Sequence, residues 1–169
     1  MNCRQNWSQI CEETLNQQII SEYEASLAYH CLANYFNRDD IGLKKLVEYF
    51  NKASLEEREH ADKFMEYQNM RGGIVKLSNL CVMDINLEKP SDILGSFRLA
   101  LNLEKSINEK LLNLHKVAEE SGDPQFSDYI EGNYLNEQVE AISEISKIIS
   151  VLERFDGDQH AIWNFVNSL

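Results

Sequence analysis

Apolar residues recur at spacings of three and four along most of this chain, the period of a helix with one buried face. The first stripe is Leu15, Ile19, Ala25, Tyr29, Leu32 or Ala33, and Phe36, which predicts a helix over about 8–36. Asn37-Arg38-Asp39-Asp40 interrupts it, and Asp39 or Asp40 is placed to cap a second helix. That helix, over about 42–71, carries Leu43, Leu46, Val47, Phe50, Ala53, Ala61 and Phe64, and stops at Arg71-Gly72-Gly73. Residues 74–90 carry no helical period. Pro90 closes them and Ser91 can cap a third helix, over about 91–120, built on Ile93, Leu94, Phe97, Leu101, Ile107, Leu111 and Leu114. Asp123 caps the fourth, with Pro124 at its first position. It runs over about 124–154 on Ile130, Tyr134, Ala141, Ile145, Ile148 and Leu152. Beyond Asp156-Gly157-Asp158 an apolar tail, about 159–168, predicts a short fifth helix.

The lengths of the connections constrain the topology. Short connections let neighbouring helices lie antiparallel. The long gap of about 17 residues can span roughly 55 Å when extended. A helix of about 28 residues is only about 42 Å long. The gap can therefore run the length of a bundle, leaving helices two and three parallel. The expected fold is all-α: one domain over 1–169, a four-helix bundle running up-down-down-up with one long crossover, plus a short C-terminal helix.

Composition narrows the function. Only 2 Pro and 7 Gly occur in 169 residues, too little turn punctuation for a sandwich or barrel. The net charge of −12 repels phosphate backbones and anionic lipid, so neither nucleic acid nor a membrane surface is an expected partner. No stretch is long and apolar enough for a membrane span. Cys3, Cys11, Cys31 and Cys81 show no metal-binding or disulfide spacing. With no apolar secretory core near the N-terminus, free thiols predict a reducing, cytoplasmic location.

The polar residues that interrupt the stripes carry the chemistry. Glu22 lies between Ile19 and Tyr29; Glu57 and His60 continue the Phe50–Ala53 series; Glu104 lies between Leu101 and Ile107; Gln138 lies between Tyr134 and Ala141. Each sits near the middle of its helix, so in a bundle of equal helices they share one layer. Unpaired buried carboxylates cost several kcal/mol each. No Lys or Arg lies on these stripes near that depth, so a bound cation is the physical remedy. Glu57 and His60 are i and i+3, on one helix face. Carboxylates with one imidazole and no thiolate suit iron or manganese. One metal position (Glu22, Glu57, His60) is rich in ligands. The other (Glu57, Glu104, Gln138) is poor, with Glu57 bridging, which suits iron that passes through.

Asn37-Arg-Asp-Asp-Ile, Glu56-Glu-Arg-Glu-His-Ala61, Gln68-Asn-Met-Arg-Gly-Gly73, Leu103-Glu-Lys and Tyr134-Leu-Asn-Glu-Gln-Val139 together resemble eukaryotic ferritins of the heavy-chain type, in order along almost the whole chain. The resemblance implies an iron-storage cage of 24 copies of the subunit, alone or mixed with other ferritin subunits. It implies ferroxidase activity, with two iron ions per subunit oxidised from Fe(II) by dioxygen and stored as an Fe(III) mineral. Glu22, Glu57, His60, Glu104 and Gln138 match the ferroxidase ligands, and Tyr29 matches the tyrosine beside them. Asp128 and Glu131, with His115 nearby, match the acidic pair of the three-fold entry channels, where Ser127 replaces a usual cysteine. Glu56 and Glu59 match inner-surface carboxylates associated with mineral nucleation, although Lys52 and Leu55 stand where that cluster often has acidic or polar residues. The tail matches the helix at the four-fold axis. Two rivals make other demands. An organic-substrate oxygenase needs an apolar pocket and usually a second Glu-x-x-His, and a passive storage or interaction protein would consume no oxygen quickly.

Overall fold

The computed structural model describes residues 3–81 and 92–169. The expected closure at Pro90 and cap at Ser91 lie outside them. Helix α1 spans Gln9–Phe36, α2 Lys44–Met70, α3 Ile93–Glu120, α4 Pro124–Ile130, α5 Asn136–Arg154 and α6 Gln159–Val166; a π turn, Glu131–Leu135, joins α4 to α5. No strand occurs among the described residues.

Side-chain contacts fix the directions. Gln68 donates to the carbonyl of Glu12, and Ser26 to that of Ser54, so α2 runs against α1. Lys110 reaches Ser21 and Ser121 reaches Ser8, so α3 also runs against α1. Arg98 pairs with Glu153 and His115 with Glu131, so the α4–α5 rod runs against α3. The order is up-down-down-up, with α2 and α3 parallel, as a four-helix bundle with one crossover requires. The crossover starts along α1. Asn16 accepts from Lys76 N–H at 2.9 Å, and Glu24 accepts from Cys81 N–H at 2.9 Å, so the chain climbs α1 as it leaves α2.

Caps explain most helix starts. Ser8, Asp92, Asp123 and Asp158 each accept from backbone N–H groups of the first turn. Helix α2 departs from expectation: neither Asp39 nor Asp40 caps it. Gly42, at φ +64°, turns the chain in the left-handed region, so the helix begins only at Lys44. Asp40 is instead paired with Arg38 at 2.6 Å.

The fourth rod is not one continuous α-helix. Phe126, Ile130, Tyr134 and Gln138 are all buried at a strict spacing of four. An α-helix would rotate such a series by about 40° per step. The π turn takes up that drift and keeps Tyr134 and Gln138 facing inward.

The core falls into two apolar clusters. One holds Leu15, Phe64, Leu111 and Phe126; the other holds Leu32, Phe50, Phe97 and Ile148. Trp7 closes the end of the first, under the guanidinium of Arg71 at 4.7 Å, and Arg71 is paired with buried Asp123 at 2.6 Å. Gly73 sits against this cap. A β-carbon there would lie 2.6 Å from Gln68 Oε1 and 2.8 Å from Trp7 Nε1. Both side chains are buried, so Gly73→Ala should cost about 1–3 kcal/mol by overpacking. Chemical denaturation followed by circular dichroism measures that loss; an unchanged midpoint would show that the cap yields freely.

Candidate metal centre

The polar layer lies where the two clusters meet. Along α2, Glu57 falls between Phe50 and Ala61; along α3, Glu104 between Ala100 and Ile107; beyond the π turn, Gln138 between Tyr134 and Ile145. Glu22 enters from α1, between Ile19 and Tyr29. Glu22 is 1 % exposed, Glu57 6 %, Glu104 5 % and Gln138 6 %. Four of the five expected residues, one from each rod, thus face one interior layer, and the fifth, His60, is half-buried beside them.

Three of the donors converge. One ligand atom each from Glu22, Glu57 and His60 lies within 4.8 Å of the other two. His60 Nδ1 is 3.6 Å from Glu57 Oε2. Gln18 donates to Glu22 Oε1 at 2.7 Å. The other oxygens of the pair, Glu22 Oε2 and Glu57 Oε2, are buried and accept from no other described residue, which leaves the two carboxyls only a proton shared between themselves. A buried carboxylate oxygen without a donor loses its hydration and gains nothing in return. Burial, then the charge of Glu57, holds the Glu22 carboxyl well above the usual carboxylate range. Burial, then the charge of Glu104, pushes Glu57 up to about 8. A divalent cation would satisfy both oxygens and make the charged forms favourable. This donor set fits a hard or borderline cation such as Fe(II).

Glu104 and Gln138 meet each other rather than standing open. Gln138 Nε2 donates to the Glu104 carbonyl at 3.0 Å and to its carboxylate, while the Tyr29 hydroxyl donates to the other carboxylate oxygen. Burial, then the charge of Glu104, raises the Tyr29 phenol, so it stays a donor. A cation held by Glu57, Glu104 and Gln138 would use Gln138 Oε1 and the remaining lone pairs of the Glu104 carboxylate.

The centre opens between α2 and α5 into a cavity of about 640 Å³. Glu57, His60, Glu104 and Gln138 line it together with Glu56, Glu59, Glu137 and Glu144. Glu56 and Glu59 are exposed, and Lys52 lies 3.3 Å from Glu56, so this acidic wall is partly neutralised. Asp128 and Glu131 do not join the centre. Both are exposed on the far part of the rod, where Glu131 meets His115 at 2.6 Å.

Two contributors are absent from the stripe reading. Glu137 Oε2 faces His60 Nε2 at 3.1 Å and so orients the ring, whose Nδ1 is turned to Glu57. Gln18 orients Glu22. Gln18 stands one helical turn before Glu22, a signal available in the sequence. Glu137 is exposed between Asn136 and Gln138 and has no distinguishing pattern.

Residues 12–155 match the family model of the ferritin-like domain. The chain is 48 % identical over 164 residues to chloroplastic ferritin-3 of Glycine max, covering 96 % of this chain and 64 % of that protein. It is 48 % identical over 168 residues to chloroplastic ferritin-3 of Arabidopsis thaliana, covering 98 % and 64 %. Chloroplastic ferritin-4 of Arabidopsis thaliana is 49 % identical over 164 residues, covering 96 % and 63 %. The chain therefore spans a little under two thirds of the length of these relatives. Their names correct the cytoplasmic expectation, because they point to a plastid. Free thiols mark any reducing compartment, so they could not select the cytoplasm. The bundle, its crossover and a carboxylate–imidazole layer on four rods agree with a match that covers most of the chain: it belongs to the ferritin family.

Proposed function

We propose that this chain takes up Fe(II), oxidises it with dioxygen at the buried centre, and stores the Fe(III) as mineral inside a 24-subunit cage. The observation that carries this reading is the pair of buried, donorless carboxylate oxygens of Glu22 and Glu57 facing one imidazole. Glu22, Glu57 and His60 hold the tighter of two iron positions. Glu57, Glu104 and Gln138 hold the looser one, with Tyr29 setting the orientation of Glu104. Anionic oxygen ligands favour Fe(III) over Fe(II), and the fixed layer sets the distance between the two ions. With Glu57 shared and an amide oxygen in place of an imidazole, the second position is the weaker, which suits passage rather than residence.

The acidic cavity supports a hydrated cation as cargo. Glu56 and Glu59 on its wall are placed to receive iron leaving the centre, and Asp128 with Glu131 to concentrate Fe(II) by its charge. An organic substrate would call for apolar walls, and these are mostly Glu and Lys. Trp163, 55 % exposed, and Leu169, 39 % exposed, leave apolar surface around α6 that assembly would cover.

Oxygen consumption on adding Fe(II) to the metal-free protein tests the reading, with particle mass measured by light scattering on the same sample. Rapid uptake by a particle of about two dozen subunits is the expected result. Uptake no faster than that of Fe(II) in buffer would leave a storage shell at most.

A further inference from the structure

Four oxidisable rings connect the metal centre to the closed end of the bundle. Tyr134 meets the His60 imidazole edge-on, with ring centroids 5.6 Å apart. Its hydroxyl lies 3.3 Å from the hydroxyl of Tyr129, and the two rings are 5.8 Å apart. Tyr129 stacks on Tyr67 at 4.0 Å and 15°. Tyr67 meets Trp7 edge-on at 5.8 Å. Packing alone asks only for apolar volume here, and phenylalanine supplies it without a hydroxyl to satisfy. Instead the two side-chain types that most readily lose one electron without sulfur chemistry follow one another without a gap.

We propose that Tyr134, Tyr129, Tyr67 and Trp7 form a path that carries an oxidising equivalent away from the metal centre. The inference rests on the Fe(II)-oxidising reading above. The oxidant is hydrogen peroxide meeting a single Fe(II), which supplies only one of the two electrons that peroxide requires. Tyr134 supplies the second. Fe(II), hydrogen peroxide, the phenol and one further proton give Fe(III), a neutral tyrosyl radical and two waters. The phenol proton passes to the Tyr129 oxygen. Tyr129, which also reaches the Lys63 carbonyl at 3.2 Å on the exposed edge, releases its own proton to solvent. Electrons then move inward, from Trp7 to Tyr67 to Tyr129 to Tyr134; Tyr134 takes back a proton from solvent through the Tyr129 hydroxyl, and the vacancy ends on Trp7 as a radical cation, because its buried Nε1–H has no acceptor among the described residues. A soluble one-electron reductant, such as a thiol or an enediol, refills it. The ligands of the centre are thereby spared.

Tyr29 lies as near to the centre but leads nowhere. Its hydroxyl is committed to Glu104 and its ring stacks on Phe50, which is too hard to oxidise to pass the vacancy on.

The test is to load the assembled protein anaerobically with one Fe(II) per subunit, add one equivalent of hydrogen peroxide, and freeze it for electron paramagnetic resonance. A parallel sample is opened to dioxygen after the peroxide, so that dioxygen couples to any tryptophan radical, and the oxygen so added is located by peptide mass spectrometry. A tyrosyl signal is expected first, followed by oxidation of Trp7, although Trp7 is only 5 % exposed. Tyr134→Phe should lower both several-fold. Tyr67→Phe should lengthen the tyrosyl lifetime and spare Trp7. Oxidation of exposed Trp163 by diffusing radicals should be the same in every variant. Tyr134→Phe with wild-type signal and wild-type Trp7 oxidation overturns the path, as does a signal lost only with Tyr29→Phe. Anaerobic Fe(II) titration of the same samples separates the two levels. Normal Fe(II) binding without the Tyr134-dependent signal defeats the path alone, whereas failure to bind Fe(II) defeats the metal-centre reading with it.

Discussion

Replacing Glu57 and His60 together with alanine is expected to reduce the initial rate of Fe(II) oxidation by on the order of 10²-fold or more, to the background of Fe(II) in buffer. Glu57 is shared by both proposed iron positions, and His60 is the one neutral ligand of the tighter position. Losing them leaves Glu22 alone on one side and the mutually bonded Glu104 and Gln138 on the other. Neither remnant offers three donors within reach of one ion. The bundle should survive, because the variant removes a buried carboxylate that is pushed up to about 8 by burial and by Glu104. Stopped-flow oxidation and particle mass on one preparation read the two effects apart. A variant cage that oxidises Fe(II) at the wild-type initial rate would place the chemistry elsewhere.

The bundle and four of its polar intruders were legible because both obey one rule. A stripe at spacings of three and four must face the core, so a carboxylate on that stripe must be buried and must find a partner. Glu22, Glu57, Glu104 and Gln138 follow from that rule alone. The rule also marks its own blind spots. Glu137 touches His60 from an exposed position, so no interruption of a stripe announces it. The π turn at Glu131–Leu135 has no compositional sign; it shows only as four buried residues at an unbroken spacing of four. Asp39 and Asp40 have good capping chemistry, yet the left-handed turn at Gly42 moves the start of α2 beyond their reach. The compartment was illegible for a different reason. The thiols report redox chemistry, which organelles share, while an address is read by a receptor and leaves no mark on the core.

The metal-free protein should also lose stability as pH rises through the range where a typical globular protein is most stable, and a divalent cation should restore it. Glu57 titrates at about 8 in the folded chain, against about 4.5 for an ordinary carboxyl, and Glu22 is raised as well. The folded state therefore holds more protons than the unfolded chain between these values. Stability rises with pH only where the unfolded state holds more protons. The contribution of Glu57 is thus fully present below about 4.5 and lost by about 8. The difference between wild type and Glu57→Gln isolates the effect from that of every other titrating group. Glutamine keeps the shape, carries no charge, and relieves Glu22 of its neighbour. Glu57→Gln should match the wild type near pH 5 and exceed it near pH 8, by an amount of a few kcal/mol at most. Urea denaturation across that range measures the gap, and equal stabilities at both ends would mean that Glu57 is charged and content without metal. Anaerobic Fe(II), or Co(II) in its place, should close the gap by displacing the bound proton. Calorimetry in two buffers of different ionisation enthalpy should then show about one proton released per site at pH 7. The same two oxygens that destabilise the empty layer are the ones a cation would bind, so the cost in the metal-free state and the affinity for iron have one origin.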